Sequence, residues 1–444
     1  MPETGHIYNY KKTLQFMNTK ILSACLVALT LAVGLSAYDN SNNKLAAETE
    51  SPLAVHRANL KLPDGFSATI VADSLGHLRH LAINTNGDVY ASLSSLEDGK
   101  GIVMLSDTDK DGNLDVKTSF AGYPGTGIAI KNGYLYSASN TGVFRYKLND
   151  KGEVIDTGKS EEIVQGLVAR DRDNSKSIAI DDQNNLYVTI GSYNDACRQE
   201  GSGKGIRGCP LLDSVGGVWQ FKADKLHQSY ADAVHYATGI KNAVGLFWNT
   251  NTHSLFATQH GRGQFDDKFS QYYTSKQSGE LPAETLYELH QGSDAGWPFV
   301  YYDPFQKKLI LAPEYGGDGK KTADKRYQEP IVAFPAHLAP DDLLFYTGNM
   351  FPEKYKNGAF IAFHAQSPEL KQGYLVAFVP FKDGKPSGDW EIFADNFAGE
   401  DLKSPSGPIA HRPTGLAQGP DGALYVSDDM KGDIFRISYT NEKK

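Results

Sequence analysis

A short polar turn that leads into a strand of apolar and aromatic residues occurs six times along this chain. The copies lie roughly 45 to 70 residues apart, with one longer gap, at residues 86–90, 132–136, 184–188, 252–256, 357–361 and 421–425. A turn that repeatedly precedes a buried strand indicates one supersecondary unit used many times. The spacing suits four-stranded propeller blades better than the shorter repeats of solenoids. We therefore predict an all-β fold, a six-bladed β-propeller with four-stranded antiparallel blades and long inter-strand insertions.

Composition agrees with such a fold and excludes one class of partner. The chain has 44 Gly, 24 Tyr and 21 Phe in 444 residues, which turn-rich sheets require. Its formal charge of −9 argues against binding nucleic acid, which needs a basic face. Six blades use most of the chain, so we predict a single propeller domain over residues 56–440.

The N-terminal segment is interpreted as a targeting signal. A lysine at position 20 precedes an apolar run over residues 21–35, which is short for a membrane span and is followed by small residues. We predict a signal peptide over residues 1–37, with Met17 as an alternative start, and a flexible tether over residues 38–55. A lipoprotein at Cys25 fits less well, because the apolar run follows this cysteine. The mature protein is then exported, periplasmic or secreted, with no transmembrane segment.

Two further features predict stabilising links. Export leaves Cys197 and Cys209 as a pair, for which a disulfide is favoured over two free thiols. Between residues 107 and 115 the side chains of Asp107, Asp109, Asp111 and Asp115 have the spacing of a calcium loop. Position twelve is a threonine, so the bidentate Glu of an EF-hand is missing. A structural calcium site and an Asp-rich hairpin without metal both remain open.

Several longer strings resemble one known family. They are Gln-His-Gly-Arg at 259–262, Gly-Trp-Pro at 296–298, Ala-Pro-Glu-Tyr-Gly-Gly-Asp-Gly-Lys at 312–320, Leu-Leu-Phe-Tyr-Thr-Gly at 343–348 and Arg-Pro-Thr-Gly-Leu at 412–416. At these strings the chain resembles the quinoprotein glucose/sorbosone dehydrogenase family, over about residues 62–439. The resemblance implies a soluble six-bladed propeller that binds pyrroloquinoline quinone and Ca²⁺ at the channel mouth.

The quinone carries three carboxylates, so its pocket needs cationic side chains and few acids. Arg79, Lys241, Arg262 and Arg412 lie beside predicted blade strands, where a propeller can bring them to one end. The alternative for each is a solvated charge on the rim. By resemblance, the backbone carbonyls of Gly261 and Arg262 hold Ca²⁺, and Asn242 bonds a quinone oxygen.

The chain departs from the family pattern at three places. Asp173 stands where the family has its histidine base, and a carboxylate is a weak base at neutral pH. Lys241 replaces an arginine and loses its planar fork. His364 is followed by Ala-Gln-Ser-Pro where the family often has Gly-Ser-Trp-Asn-Arg, so one basic contact is missing.

We therefore predict an exported quinoprotein oxidoreductase that oxidises a sugar or sugar aldehyde by hydride transfer to Ca²⁺-bound pyrroloquinoline quinone, with Asp173 in the base position. The electron acceptor is not identified, because no Cys-x-x-Cys-His haem motif occurs. Two alternatives remain. One is a catalytically impaired propeller that binds a sugar or a protein. The other is a Ca²⁺-dependent lactonase-like hydrolase, for which the sequence shows no convergent set of acidic or amide side chains.

Overall fold

The computed structural model describes residues 57–440, apart from residues 264 and 368. The predicted signal peptide and nearly all of the tether lie outside these residues and stay predictions. The first strand is β1 (Phe66–Ala72), and four-stranded sheets follow it along the chain.

The strands of the first three blades follow in chain order. Blade 1 contains β2 (Leu78–Ile83), β3 (Val89–Glu97), β4 (Lys100–Ser106) and β5 (Val116–Phe120). Blade 2 contains β6 (Gly125–Lys131), β7 (Tyr134–Ser139), β8 (Val143–Lys147) and β9 (Glu161–Val164). Blade 3 contains β10 (Ile178–Ile180), β11 (Asn185–Ile190), β12 (Gly217–Lys222) and β13 (Val234–Thr238).

The remaining blades contain the longer insertions. Blade 4 contains β14 (Leu246–Asn249), β15 (Ser254–Gln259), β16 (Glu284–Leu289) and β20 (Val332–Phe334). Blade 5 contains β21 (Pro340–Phe345), β22 (Ala359–Ser367), β23 (Gln372–Val379) and β26 (Glu391–Ala394). Blade 6 contains β27 (Pro413–Gln418), β28 (Leu424–Asp428) and β29 (Ile434–Tyr439), and its fourth strand is β1.

The six blades form a closed ring. The first strands of successive blades, β2, β6, β10, β14, β21 and β27, contact one another around the circle, and β27 returns to β2. The ring is closed by β1, which pairs antiparallel with β29 from the other end of the chain. These contacts confirm the predicted six-bladed β-propeller with four-stranded antiparallel blades.

The repeated turns have one structural role. Each joins the first strand of a blade to the second, at one end of the ring, and the second strand begins within two residues of the turn. Asn132, Asn184 and Asn357 in these turns have positive φ values of 49°, 60° and 59°, a conformation that asparagine tolerates. The following apolar residues, such as Leu135 and Leu186, are fully buried between blades.

Two insertions depart from the simple repeat. Residues 260–283, between β15 and β16, contain the short helices α1 (Asp266–Phe269) and α2 (Ser275–Glu280). Residues 284–289 follow this insertion as blade strand β16. A second insertion over residues 290–331 contains β17 (Ser293–Asp294), β18 (Val300–Asp303), β19 (Lys308–Leu311) and a 3₁₀ turn at Pro313–Tyr315.

Shorter elements complete the described chain. A small hairpin of β24 (Phe381–Lys382) and β25 (Lys385–Pro386) projects from blade 5. Further 3₁₀ turns lie at Pro210–Asp213, Tyr230–Asp232 and Glu353–Tyr355. No helix in the part of the chain that the structure describes is long and apolar enough to cross a membrane.

Candidate functional site at one end of the ring

The antiparallel blades place the predicted residues at one end of the ring. The start of each first strand lies beside the end of the second strand, at the end of the ring opposite the repeated polar turns. Arg79 is at the start of β2, and Arg412 immediately precedes β27. Lys241 and Asn242 precede β14, and residues 260–262 follow β15. All five predicted cofactor-binding residues therefore lie at the same end.

Lys241 is the centre of a buried ionic contact with Asp173. Its Nζ lies 2.6 Å from Oδ2 of Asp173 and 3.4 Å from Oδ1 of Asp195. Asn242 donates from Nδ2 to Oδ1 of Asp173 at 3.3 Å, and its own Oδ1 is buried without a partner among the described residues. Burial would raise the pKa of Asp195, but Lys241, Arg172 and Arg262 outweigh it and lower this pKa. Lys241 thus contacts the side chains of Asp173 and Asp195 at the same time.

Arg262 forms a second ionic cluster with Glu314. Its Nη1 lies 2.7 Å from Oε1 of Glu314, whose fully buried side chain also receives Arg198 at 2.7 Å. The guanidinium packs over the ring of Phe265 at 4.3 Å from the centroid. Within residues 57–440 as described, Nη2 of Arg262 is buried and has no hydrogen-bond partner. Arg262 therefore retains an unused donor for an anionic or carbonyl oxygen.

Arg79 and Arg412 meet a third cluster of carboxylates. Arg79 lies 2.8 Å from Asp341 and 3.8 Å from Asp429, and Nε of Arg412 donates to Asp429 at 2.8 Å. Nε2 of His260 lies 3.1 Å from Oδ1 of Asp341, and Nε2 of His364 lies 2.8 Å from Asp429. These contacts link the two arginines and the two histidines into one network.

Charge explains the ionisation of this third cluster. Burial opposes ionisation of Asp341, but Arg79, His364 and His260 outweigh it and hold the pKa of this carboxyl far below its usual value. Burial also opposes a charged His260, yet the Asp341 carboxylate raises the pKa of His260 above its usual value. The network is therefore a set of opposite charges that stabilise one another.

This end of the ring contains more acidic side chains than the few expected from the sequence. Each of the four predicted cations contacts at least one carboxylate, and the five carboxylates involved are Asp173, Asp195, Glu314, Asp341 and Asp429. No convergent acidic set was expected from the sequence, and the structure brings these acids together with the cations. Because these acids are paired with cations, they do not form a free acidic cluster of the kind that a lactonase-like metal site needs.

Gly261 and Arg262 present backbone carbonyls beside these clusters. The N–H of Gly261 donates to Oε2 of the buried Glu284 at 2.7 Å, and the N–H of His260 donates to the carbonyl of Asn242 at 2.8 Å. The carbonyl oxygens of residues 261 and 262 accept no hydrogen bond from the described residues. Both remain available to a hard cation, which prefers oxygen ligands.

A small cavity lies between the cluster around Lys241 and the cluster around Arg262. It has a volume of about 20 Å³ and is lined by Lys241, Gly261, Arg262 and Trp297 among others. Such a volume holds about one water molecule. A larger ligand would therefore contact these residues from the channel side and not from within the cavity.

The structure contains the predicted disulfide and shows the position of the Asp-rich loop. Cys197 and Cys209 form a disulfide with a Cα–Cα distance of 5.9 Å, in the loop that carries Asp195 and Arg198 to the site. The Asp-rich loop lies between β4 and β5, at the opposite end of the ring.

Three of the four carboxylates in the Asp-rich loop converge. Ligand atoms of Asp107, Asp109 and Asp111 lie within 4.8 Å of one another, whereas Asp115 lies outside this group. The N–H of Gly112 donates to Asp107 at 3.0 Å, as in a polar turn. Calcium binding by this loop stays a prediction.

A family model identifies the group to which this fold and site belong. The TrAA12-like model matches residues 60–301 and 305–440, which is most of the chain. The chain therefore belongs to the TrAA12-like family. At the level of family and fold, this confirms the resemblance predicted from the sequence.

Two curated proteins and several solved structures are similar to the chain. An uncharacterized protein of Borreliella burgdorferi is 26% identical over 46% of this chain, and the chain spans only about half (48%) of that protein. A pyrroloquinoline quinone-dependent sugar dehydrogenase of Hypocrea jecorina is 19% identical over 90% of this chain and 92% of that protein.

The solved structures share the fold at low identity. A Trichoderma reesei enzyme of carbohydrate-active family AA12 gives a TM-score of 0.70 at 17% identity, covering 88% of this chain and all of that one. The holo pyranose dehydrogenase PQQ domain of Coprinopsis cinerea gives 0.66 at 17% identity, covering 85% and 97%. At these identities the likeness shows the fold alone.

Proposed function

We propose that this protein is an oxidoreductase that uses pyrroloquinoline quinone, held with Ca²⁺ at the channel mouth, to oxidise a sugar or sugar aldehyde. The observation that carries the proposal is the meeting of Arg79, Lys241, Arg262, Arg412 and Asn242 at one end of the ring. The names of the sugar dehydrogenase and the pyranose dehydrogenase domain among its relatives support it.

The residues present fit a tricarboxylate quinone bound together with a divalent cation. Nη2 of Arg262 and Oδ1 of Asn242 are buried polar atoms without partners among the described residues. A quinone oxygen would accept from the Arg262 donor, and the divalent cation would satisfy the Asn242 oxygen. With Arg172 and Arg198 included, five carboxylates face six arginine and lysine side chains, and His260 adds to the positive charge. The five carboxylates offset most of this positive charge. A divalent cation bound with the quinone would reduce the repulsion between the quinone carboxylates and those of the protein, which favours joint binding of quinone and Ca²⁺.

The chain's own groups would then have distinct roles. The four cations would bind quinone carboxylates, the amide of Asn242 would bond a quinone oxygen, and the carbonyls of Gly261 and Arg262 would hold Ca²⁺. When bound, the quinone supplies a two-electron acceptor for hydride. Because opposing carboxylates already pair with the cations, each ionic contact to the quinone would be weaker than one made by an unpaired arginine.

Asp173 would accept the hydroxyl proton of the substrate. Its Oδ2 is taken by Lys241 at 2.6 Å, and Oδ1 receives only the longer contact from Asn242 at 3.3 Å. We therefore assign Oδ1 as the accepting atom. A carboxylate is a weak base at neutral pH, and Lys241 occupies one of its two oxygens, so we expect slow proton transfer compared with a histidine at this position.

Export and the disulfide belong to the same proposal. The Cys197–Cys209 bond would persist in an oxidising compartment, which agrees with removal of residues 1–37 on export to the periplasm or the medium. Mass spectrometry of the mature protein from its native host would give an N-terminus near residue 38. An intact residue 1 on the mature protein would contradict export by this signal.

Reconstitution tests the function. Purified protein is incubated with pyrroloquinoline quinone and CaCl₂, and reduction of a dye is measured with a panel of aldoses and aldehydes. We expect dye reduction that depends on quinone, Ca²⁺ and substrate, and that Asp173→Ala lowers further. Asp182→Ala, at the opposite end of the ring, is the matched control and should leave the rate unchanged.

The other outcomes identify the alternative functions. Bound quinone or sugar without dye reduction would favour a catalytically impaired binding module, in which Lys241 occupies the carboxylate of Asp173. Quinone-independent cleavage of a lactone would favour the hydrolase. Either result would overturn the proposed oxidation.

A further inference from the structure

His411, Asp428 and Asp433 form a compact cluster in blade 6. Nδ1 of His411 lies 3.2 Å from Oδ2 of Asp428 and 3.5 Å from Oδ2 of Asp433. One ligand atom from each residue lies within 4.8 Å of the other two. The three residues precede β27, end β28 and precede β29, so three separate backbone segments converge here.

The two carboxylates differ in how their charge is satisfied. Asp428 accepts backbone N–H bonds from Arg412, Met430 and Lys431. The Asp433 side chain is only 8% exposed and accepts no hydrogen bond from any described residue. Its oxygen is directed at His411 and lies beside a second buried carboxylate. A buried carboxylate is costly unless positive charge compensates it, and a cation bound between His411 and the two carboxylates would add to the compensation that His411 provides.

The imidazole is held in a position to act as a ligand. The ring of Phe435 packs edge-on against His411, with centroids 5.1 Å apart and planes at 87°. This contact and the neighbouring strands direct Nδ1 toward both carboxylates. One imidazole nitrogen and two carboxylate oxygens are a donor set that suits Zn²⁺ and Mn²⁺.

We propose that His411, Asp428 and Asp433 bind a divalent transition-metal ion of the Zn²⁺ or Mn²⁺ class. Two carboxylate charges match the charge of the ion, and the buried Asp433, which accepts no hydrogen bond from the described residues, would gain a metal–oxygen bond. The position is separate from the Ca²⁺ position predicted at residues 261 and 262. It therefore does not depend on the quinone proposal.

The ion would brace one side of the channel mouth. The backbone N–H of Arg412 donates to Oδ1 of Asp428 at 2.6 Å, and its side chain reaches Asp429. A metal that fixes Asp428 would therefore also fix the segment that presents Arg412 and Asp429 to the site. Its role is structural.

Metal retention by the full-length protein without quinone tests this proposal. The protein is stripped with chelator, incubated with Zn²⁺ or Mn²⁺ and dialysed, and metal content and the thermal midpoint are measured. We expect about one equivalent retained and a midpoint raised by several degrees. Asp433→Asn should weaken binding at least about tenfold, and His411→Asn provides a second variant if the first is unstable. Asp109→Asn, in the Asp-rich loop, is the matched control and should retain the metal.

Three results would overturn the proposal. They are no retention of either metal, undiminished retention by both Asp433→Asn and His411→Asn, and loss of retention in Asp109→Asn alone. The last result would move the binding site to the Asp-rich loop. Because every readout is made without quinone, failure here leaves the proposed oxidoreductase function untouched.

Discussion

Replacing Glu314 by glutamine separates two effects that the site geometry predicts. The fully buried Glu314 carboxylate lies 2.7 Å from Arg262 and 2.7 Å from Arg198, and the Arg262 side chain is only 5% exposed. Glutamine keeps the size of the side chain and removes its charge. Glu314→Gln therefore leaves two guanidinium groups at the site without their counter-ion.

The expected loss of stability follows from this burial. Removing one partner of a buried ion pair costs about 3–5 kcal/mol. For a domain of roughly 380 residues the entropy of unfolding is about 0.8 kcal/mol/K, so the thermal midpoint should fall by about 4–6 °C. Differential scanning calorimetry of the protein without quinone measures this fall.

The same change should strengthen binding of the anionic quinone. A carboxylate removed from about 10 Å away, at an effective dielectric constant of about 20, relieves roughly 1.7 kcal/mol of repulsion. This is roughly a 15-fold gain in quinone affinity, measurable by titration in the presence of Ca²⁺.

An exposed ion pair between Glu161 and Arg145 provides the matched control for Glu314→Gln. Glu161 pairs with Arg145 at 2.7 Å but is 47% exposed, so Glu161→Gln should cost less than about 1 kcal/mol. An unchanged midpoint for Glu314→Gln would refute the buried ion pair. Weaker quinone binding by this variant would refute the electrostatic argument for the site.

Three further substitutions give independent checks. Asp173→His should raise turnover of the reconstituted enzyme about tenfold or more at pH 7 by supplying a better base, and equal turnover with intact quinone binding would remove Asp173 from the base position. Arg412→Ala should weaken quinone binding several-fold in a binding titration, whereas unaltered affinity would place Arg412 on the rim. Lys176 is buried and donates to Asn174 at 2.8 Å, and burial lowers its pKa to about 8. The unfolded chain then binds more protons than the folded one between about pH 8 and 10.5, so stability should rise by up to about 3 kcal/mol across that window. Lys176→Met should be more stable than the natural protein at pH 7 and lack this rise in denaturant titrations, and a pH dependence like that of the natural protein would contradict the assignment.

The fold was predictable because its signal is local. Turns such as that at Asn132 need residues that tolerate positive φ, and the strands that follow must bury apolar side chains between blades. Both requirements leave a readable pattern in the sequence. Residues 284–289 were harder to place, because strand β16 is flanked by two insertions that conceal the period of the repeat.

The cations of the site were predictable from their positions, but their partners were mostly not. Arg79 and Lys241 lie near strand ends, which a propeller brings together. Asp341 and Asp429 also lie at strand ends, so a search of the strand ends for acidic residues would have found them. Glu314 could not have been found in this way, because it lies in the second insertion, 52 residues from Arg262 in sequence. Strand β17 of this insertion pairs with β13, and the insertion then brings Glu314 to Arg262. Only tertiary structure shows this approach.

Retention of quinone tests the central electrostatic claim most directly. The stripped protein is incubated with pyrroloquinoline quinone in the presence or absence of Ca²⁺, desalted, and its absorption spectrum recorded. We predict about one equivalent of quinone retained with Ca²⁺ and release of this quinone when the metal is chelated. No retained quinone under either condition would contradict a channel mouth that binds a tricarboxylate through a divalent cation.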